Sequence, residues 1–108
     1  MPMHTNPGEE RIEDAIRRLV VVALRDTGQS RRVADFLLAW HNAAENGGWD
    51  PTDLWNVDAQ IAADMLRVLR GIASLPNGKY PSDLGFATEI DQLWHLWRAK
   101  RRRPRRRA

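Results

Sequence analysis

Apolar residues recur along most of this chain at steps of three and four, the period of a helix with one buried face. The first series is Ile12, Ala15, Ile16, Leu19, Val20, Ala23 and Leu24. Asn6, Pro7 and Glu9 stand before it as cap, first-turn proline and capping-box partner, so a helix is predicted over residues 7–26. The run Leu19 to Val22 has strand propensity, but no turn residues isolate it, and it stays helical. The stretch from Asp26 to Ser30 breaks the pattern. Gly28 suits a left-handed C-terminal position, and Ser30 suits the cap of the next helix.

The second helix carries Val33, Phe36, Leu37, Trp40, His41 and Ala44 and stops at Asn46-Gly47-Gly48. Between Trp49 and Val57 the period is lost, but Asp50-Pro51-Thr52-Asp53 supplies a cap, a first-turn proline and an acid for one short helical turn. Asp58 is the expected cap of a third helix bearing Ile61, Ala62, Met65, Leu66, Val68, Leu69, Ile72 and Ala73. This stripe is the widest, which predicts that the third helix is the central and most buried one. After the turn Pro76-Asn77-Gly78-Lys79, Ser82 or Asp83 caps a fourth helix with Phe86, Ile90, Leu93, Trp94 and Trp97 on its face. That helix is free to run on until Pro104.

The fold class is therefore all-α: a compact four-helix domain over residues 7–98 with a short helical turn between helices 2 and 3. Residues 1–6 form a flexible N-terminus and residues 99–108 an arginine-rich tail. The chain has no cysteine, which excludes a disulfide framework, a thiol nucleophile and cysteine-based metal centres. No apolar run approaches the length of a membrane span and the N-terminus lacks a signal-peptide layout, so a cytoplasmic location away from membranes is expected.

Charge changes the picture more than composition does. The net charge is +3, yet Arg98, Lys100, Arg101, Arg102, Arg103, Arg105, Arg106 and Arg107 stand together with no acid among them. The rest of the chain keeps nine of the 17 bases against all 14 acids and is net negative. The basic character belongs to the tail. Such a segment cannot fold alone and attracts polyanions by releasing counterions, so DNA or RNA binding is expected there. The competing reading is a solvated tail, or one that folds back on the acidic body. An acidic protein or membrane surface is a further, weaker fit. A helix-turn-helix reader opening with Arg31 and Arg32 is disfavoured by the acidic body and by the long connection to the third helix.

The middle of the chain also carries a recognisable pattern. Asp26-Thr27-Gly28-Gln29-Ser30-Arg31-Arg32-Val33-Ala34 is followed by Phe36-Leu37-Leu38-Ala39-Trp40, Glu45-Asn46-Gly47-Gly48, Asp53-Leu54-Trp55-Asn56-Val57-Asp58 and Tyr80-Pro81. Together these resemble a family of small helical proteins, without an assigned activity, found on genomic islands, conjugative elements and plasmids of proteobacteria. The resemblance covers residues 10 to 98 and brings no catalytic residues with it. It implies an accessory protein of a mobile element.

The candidate sites follow from side chains. Trp49, Asp50, Asp53, Trp55 and Asp58 place two large aromatics in an acidic loop, the makings of an anchor for a basic protein partner. The alternative is that both tryptophans plug the end of the bundle while the acids serve as caps. His41 with Glu45, and Asp91 with His95, each share a helix face, but the usual metal-binding spacing is absent and no metal or other cofactor is expected. No serine has an evident histidine–acid array and no glycine-rich phosphate loop occurs, so no catalytic residue is assigned. Leu96, Val21 and Val22 lie off their stripes, and a homodimer surface is expected if they are exposed together. The resulting expectation is a non-enzymatic interaction protein with an unidentified protein partner, and in second place a nucleic-acid-binding accessory protein acting through its tail.

Overall fold

A computed structural model describes residues 10–99 of the chain. Among them every regular element is helical and no strand occurs. The expectations for residues 1–9, including the Asn6-Pro7 cap, and for the chain from Lys100 onward lie outside the described residues.

Helix α1 (Ile12–Ala23) starts and ends inside its expected bounds. Ala15, Ile16, Leu19, Val20 and Ala23 are all buried, as the stripe required, while Leu24 is left exposed just past the last turn. The chain leaves α1 early because Thr27 takes the extended position that caps the next helix. Its hydroxyl accepts from the Ser30 amide at 3.0 Å and pairs with the Ser30 hydroxyl at 2.8 Å. Two expectations are corrected here. Thr27, not Ser30, is the cap, and Gly28 is the first residue of α2 (Gly28–Asn46) instead of a left-handed stop.

Helix α2 is broken at Asn42, where φ is −166° and ψ is 89°. The Asn42 side chain accepts from the Glu45 amide at 3.1 Å, so it caps a second, one-turn piece reaching Asn46. Asn46 Nδ2 then donates to the Leu38 carbonyl at 3.2 Å, which folds the piece back on α2. Among the described residues the α-helices therefore number five when the two parts of α2 are counted apart, and not exactly the four that the spacing predicts. Next comes the 3₁₀ turn Pro51–Asn56, in the place that the cap, proline and acid marked.

Helix α3 (Ala59–Ser74) has only Asp64, Met65 and Val68 buried. It packs on α1, where Gly71 lies directly against the Ile12 side chain. The expectation that this helix is central is overturned. Helix α2 is central, packing on α1 along one side and on α4 along the other, with Val33, Ala34, Phe36, Leu37 and Leu38 inside. A wide stripe reports how much apolar surface a helix has; it does not report whether neighbours cover all of it.

The short 3₁₀ turn Pro81–Leu84 ends at Gly85, whose φ of 97° is the left-handed region a side chain disfavours. Helix α4 (Ala87–Trp94) follows and widens into a π-turn at His95–Ala99. Phe86, Ile90 and Leu93 complete the core, and the Trp97 indole donates to the Ala23 carbonyl at 2.8 Å. An ion-pair network closes the opposite side. Arg18 forks onto Asp64 (3.0 and 2.8 Å) and onto Glu10 (2.8 and 2.9 Å), tying the segment just ahead of α1 to α1 and α3.

Candidate functional site

The expected partner-binding residues lie on the segment from α2 to α3, but the fold divides them. Gly47, with φ of 90°, turns the chain out of α2. Asp50 then accepts from the Thr52 amide at 2.9 Å and its hydroxyl at 2.8 Å. Those bonds, the amide first, hold the Asp50 carboxyl below the usual aspartate range, so it is ionised at neutral pH. Asp58 is exposed at the head of α3. Its amide and carboxylate bond the Gln29 side chain, which clips α3 to the start of α2. Trp55 points outward from the turn and is 82% exposed.

The other two are placed differently. Trp49 is half-buried, edge-on to Phe36 with ring centroids 4.8 Å apart. Asp53 corrects its assignment to the partner surface: it is buried and accepts from Arg32 Nη1 at 2.7 Å. It anchors the turn to α2, because a carboxylate that close to a guanidinium in a shielded place is committed to that partner.

Arg98 needs the same correction. The sequence groups it with the polyanion-binding bases, yet the structure buries it between α4 and α2. Its Nη2 meets Asp35 at 2.7 Å and its Nε meets the Asn46 carbonyl at 3.1 Å. Arg98 therefore bridges the broken end of α2. Lys100, Arg101, Arg102, Arg103, Arg105, Arg106 and Arg107 lie outside the described residues. On the body, Arg31 pairs with Asp35, Arg32 with Asp53 and Arg67 with Glu10.

The two acid–histidine pairs meet only in part. His41, Glu45 and Asp91 line one side pocket of about 280 Å³ with Ser82 and Trp94, while His95 turns onto the Asp91 carbonyl of its own helix at 2.9 Å. Among the described residues no group of three histidine or carboxylate side chains is placed to hold a metal ion. None of the described helices is long and apolar enough to cross a membrane.

The sequence missed an apolar groove between α2 and α3. Phe36, Ala39, Trp40, Ala43, Gly48, Trp49, Leu69 and Ile72 line a hollow of about 290 Å³. A second hollow of about 210 Å³ continues past Trp40 and Ile72 to Leu75, Pro76, Lys79 and Tyr80. The available signal was the excess width of the α3 stripe. Leu66, on that stripe, is 49% exposed.

This arrangement defines a small all-α protein built on one central, broken helix, with an aromatic-lined groove beside it. More particularly, the chain belongs to a family of unknown function, DUF7673, which matches residues 13–98. No curated protein and no solved structure matches it.

Proposed function

We propose that this chain is a non-enzymatic protein-interaction module that recognises its partner through the end of the bundle carrying Trp55. The observation that supports this reading is the outward placement of a tryptophan on a turn that Asp50, Asp53 and Arg32 hold rigid. Burying such a side chain against a partner removes a large apolar area from water without ordering the turn anew. Asp50 and Asp58, both exposed, favour a basic partner. In the cytoplasm the chain acts as an accessory protein of a mobile element, which the resemblance to proteins of genomic islands and plasmids favours.

The tail adds affinity for an acidic surface or nucleic acid and raises the effective concentration near the target. A second reading, in which the tail dominates and the chain is a nucleic-acid-binding accessory protein, is favoured by the seven bases between Lys100 and Arg107 with no acid among them. The two readings separate by experiment. Trp55→Ala is expected to leave helicity and melting unchanged while removing a discrete partner from a pull-down with the full chain; identical capture by both proteins refutes the first reading. Deleting residues 100–108 is expected to abolish a gel shift with DNA or RNA; retained binding refutes the second.

A further inference from the structure

We infer that the side pocket between α2 and α4 is the docking site of this chain's own basic tail, residues 100–108, and that a polyanion must displace the tail from it. The second clause rests on the reading in which the tail attracts polyanions; the first does not. Three features of the pocket select that occupant.

The first is its lining. Ile90 and the half-buried Trp94 give the hollow of about 280 Å³ an apolar and aromatic wall, and the exposed Glu45 and Asp91 bring two carboxylates to it. Among the described residues no lysine or arginine lines it. A guanidinium suits both parts, because its plane stacks on an indole while its edge forks onto a carboxylate.

The second is charge left uncompensated. Glu10, Asp35, Asp53 and Asp64 are each held by an arginine. No base among the described residues pairs with Glu45, and the Asp91 carboxylate has the exposed His95 ring at 3.6 Å as its ion-pair partner. The chain from Lys100 to Arg107 supplies seven bases with no acid among them. Because they belong to the same chain, these bases meet the pocket at an effective concentration set by the tether and not by dilution.

The third is where the described residues end. Arg98 lies one turn beyond Trp94 on α4, and its Nε donates to the carbonyl of Asn46, the neighbour of Glu45, at 3.1 Å. The chain thus leaves the fold beside two residues of the pocket. Asp35, the acid at that exit, is already held by Arg31 and Arg98. The way back from Ala99 to Asp91 is eight residues of helix, about 12 Å. Four extended residues span about 13 Å, and nine follow Ala99.

A salt titration of the full chain, followed by the Trp94 and Trp55 indole N–H resonances, tests the docking. The Trp94 resonance is expected to move as salt rises to about 1 M, where screening shortens to about 3 Å, and the Trp55 resonance to stay. A full-length chain with Arg101, Arg102, Arg103, Arg105, Arg106 and Arg107 all changed to Gln is expected to show no Trp94 response, and so is the double variant Glu45→Gln, Asp91→Asn. In a gel shift with a short DNA duplex at low salt, that double variant is expected to bind about fivefold more tightly than the parent. The double variant Asp50→Asn, Asp58→Asn makes the same change of charge away from the pocket and is expected to stay within about twofold. The inference is overturned if salt leaves Trp94 unmoved in the parent, or moves it equally in the glutamine-tailed chain or the pocket variant. A gain for Asp50→Asn, Asp58→Asn as large as that of the pocket variant also overturns it, since net charge then explains both. A Trp94 response in a chain that binds no DNA upholds the docked tail and refutes the polyanion reading; DNA binding with Trp94 unmoved by salt does the reverse.

Discussion

The Arg98 guanidinium ends between Asp35 and the Asn46 carbonyl, its two hydrogen-bond partners among the described residues. Replacing it with methionine removes two charge-assisted bonds and leaves that carbonyl unpaired, while Asp35 keeps Arg31. Arg98→Met is therefore expected to destabilise the fold by about 1–3 kcal/mol in urea denaturation. Trp55→Ala should shift stability by no more than about 0.5 kcal/mol, because an exposed side chain away from caps and pairs contributes little to folding. A large loss for Trp55→Ala would mean that the ring packs inward. The sequence set Arg98 beside seven further bases, and only the position of Asp35 across the interface separates it from them. Asp53 and Asp50 look alike in the sequence in the same way. One lies within reach of Arg32 and is buried by it; the other turns back on Thr52 and stays in water.

At the scale of the element, α2 holds both the best and the worst legibility. Its apolar stripe marks Val33, Phe36 and Leu37 correctly because helical spacing alone decides which residues face one way. The break at Asn42 does not show in the apolar spacing, though its sign is present: Asn42 precedes Glu45 by the interval of a capping box. Asparagine is tolerated within helices, so the pattern says that a cap can form there and not that it does. Asn42→Ala is expected to cost about 1 kcal/mol, the loss of a cap, with faster amide exchange confined to residues 43–46. Thr27→Ala should cost a similar amount, about 1 kcal/mol, at the head of the same helix. Equal exchange throughout α2 in both variants would contradict the two-piece description. Helix α3 carries the reverse lesson. Its stripe is legible, but its burial depends on how far α2 lies from it, and that distance leaves Leu69 and Ile72 partly open.

Across the whole molecule, charge sets the pH response and the expected salt dependence of any polyanion binding. The Arg18 hydrogen bonds hold the Glu10 carboxyl below its ordinary value of 4.5, and Arg18 itself is held further into its charged form by Asp64 and Glu10. A carboxyl with a depressed folded-state pKa contributes stability that is present above 4.5 and lost as pH falls through the folded value. Melting temperature is therefore expected to fall more steeply with acid below 4.5 in the parent chain than in Glu10→Gln, and to match in shape above it. Parallel curves throughout would remove Glu10 from the network. For nucleic acid, the log–log salt dependence of binding should approach a slope of about −0.9 for each base engaged on duplex DNA. Neutralising bases in the tail should flatten it, while Arg31→Ala and Arg67→Ala should not, because those two already face acids of the same chain.

What the sequence by itself determined is the all-helical class, the inner face of α1 and α4, the turn at Pro51 and the separation of a basic end from an acidic body. These follow from spacing, turn chemistry and formal charge, which are local or additive. What only the tertiary structure decided is which helix is central, that Arg98 and Asp53 are bound into the body, and that a groove stays open beside α2. Those depend on distances between residues far apart in the chain, such as Arg98 to Asp35 and Trp40 to Lys79, and no local pattern fixes such a distance before the helices pack.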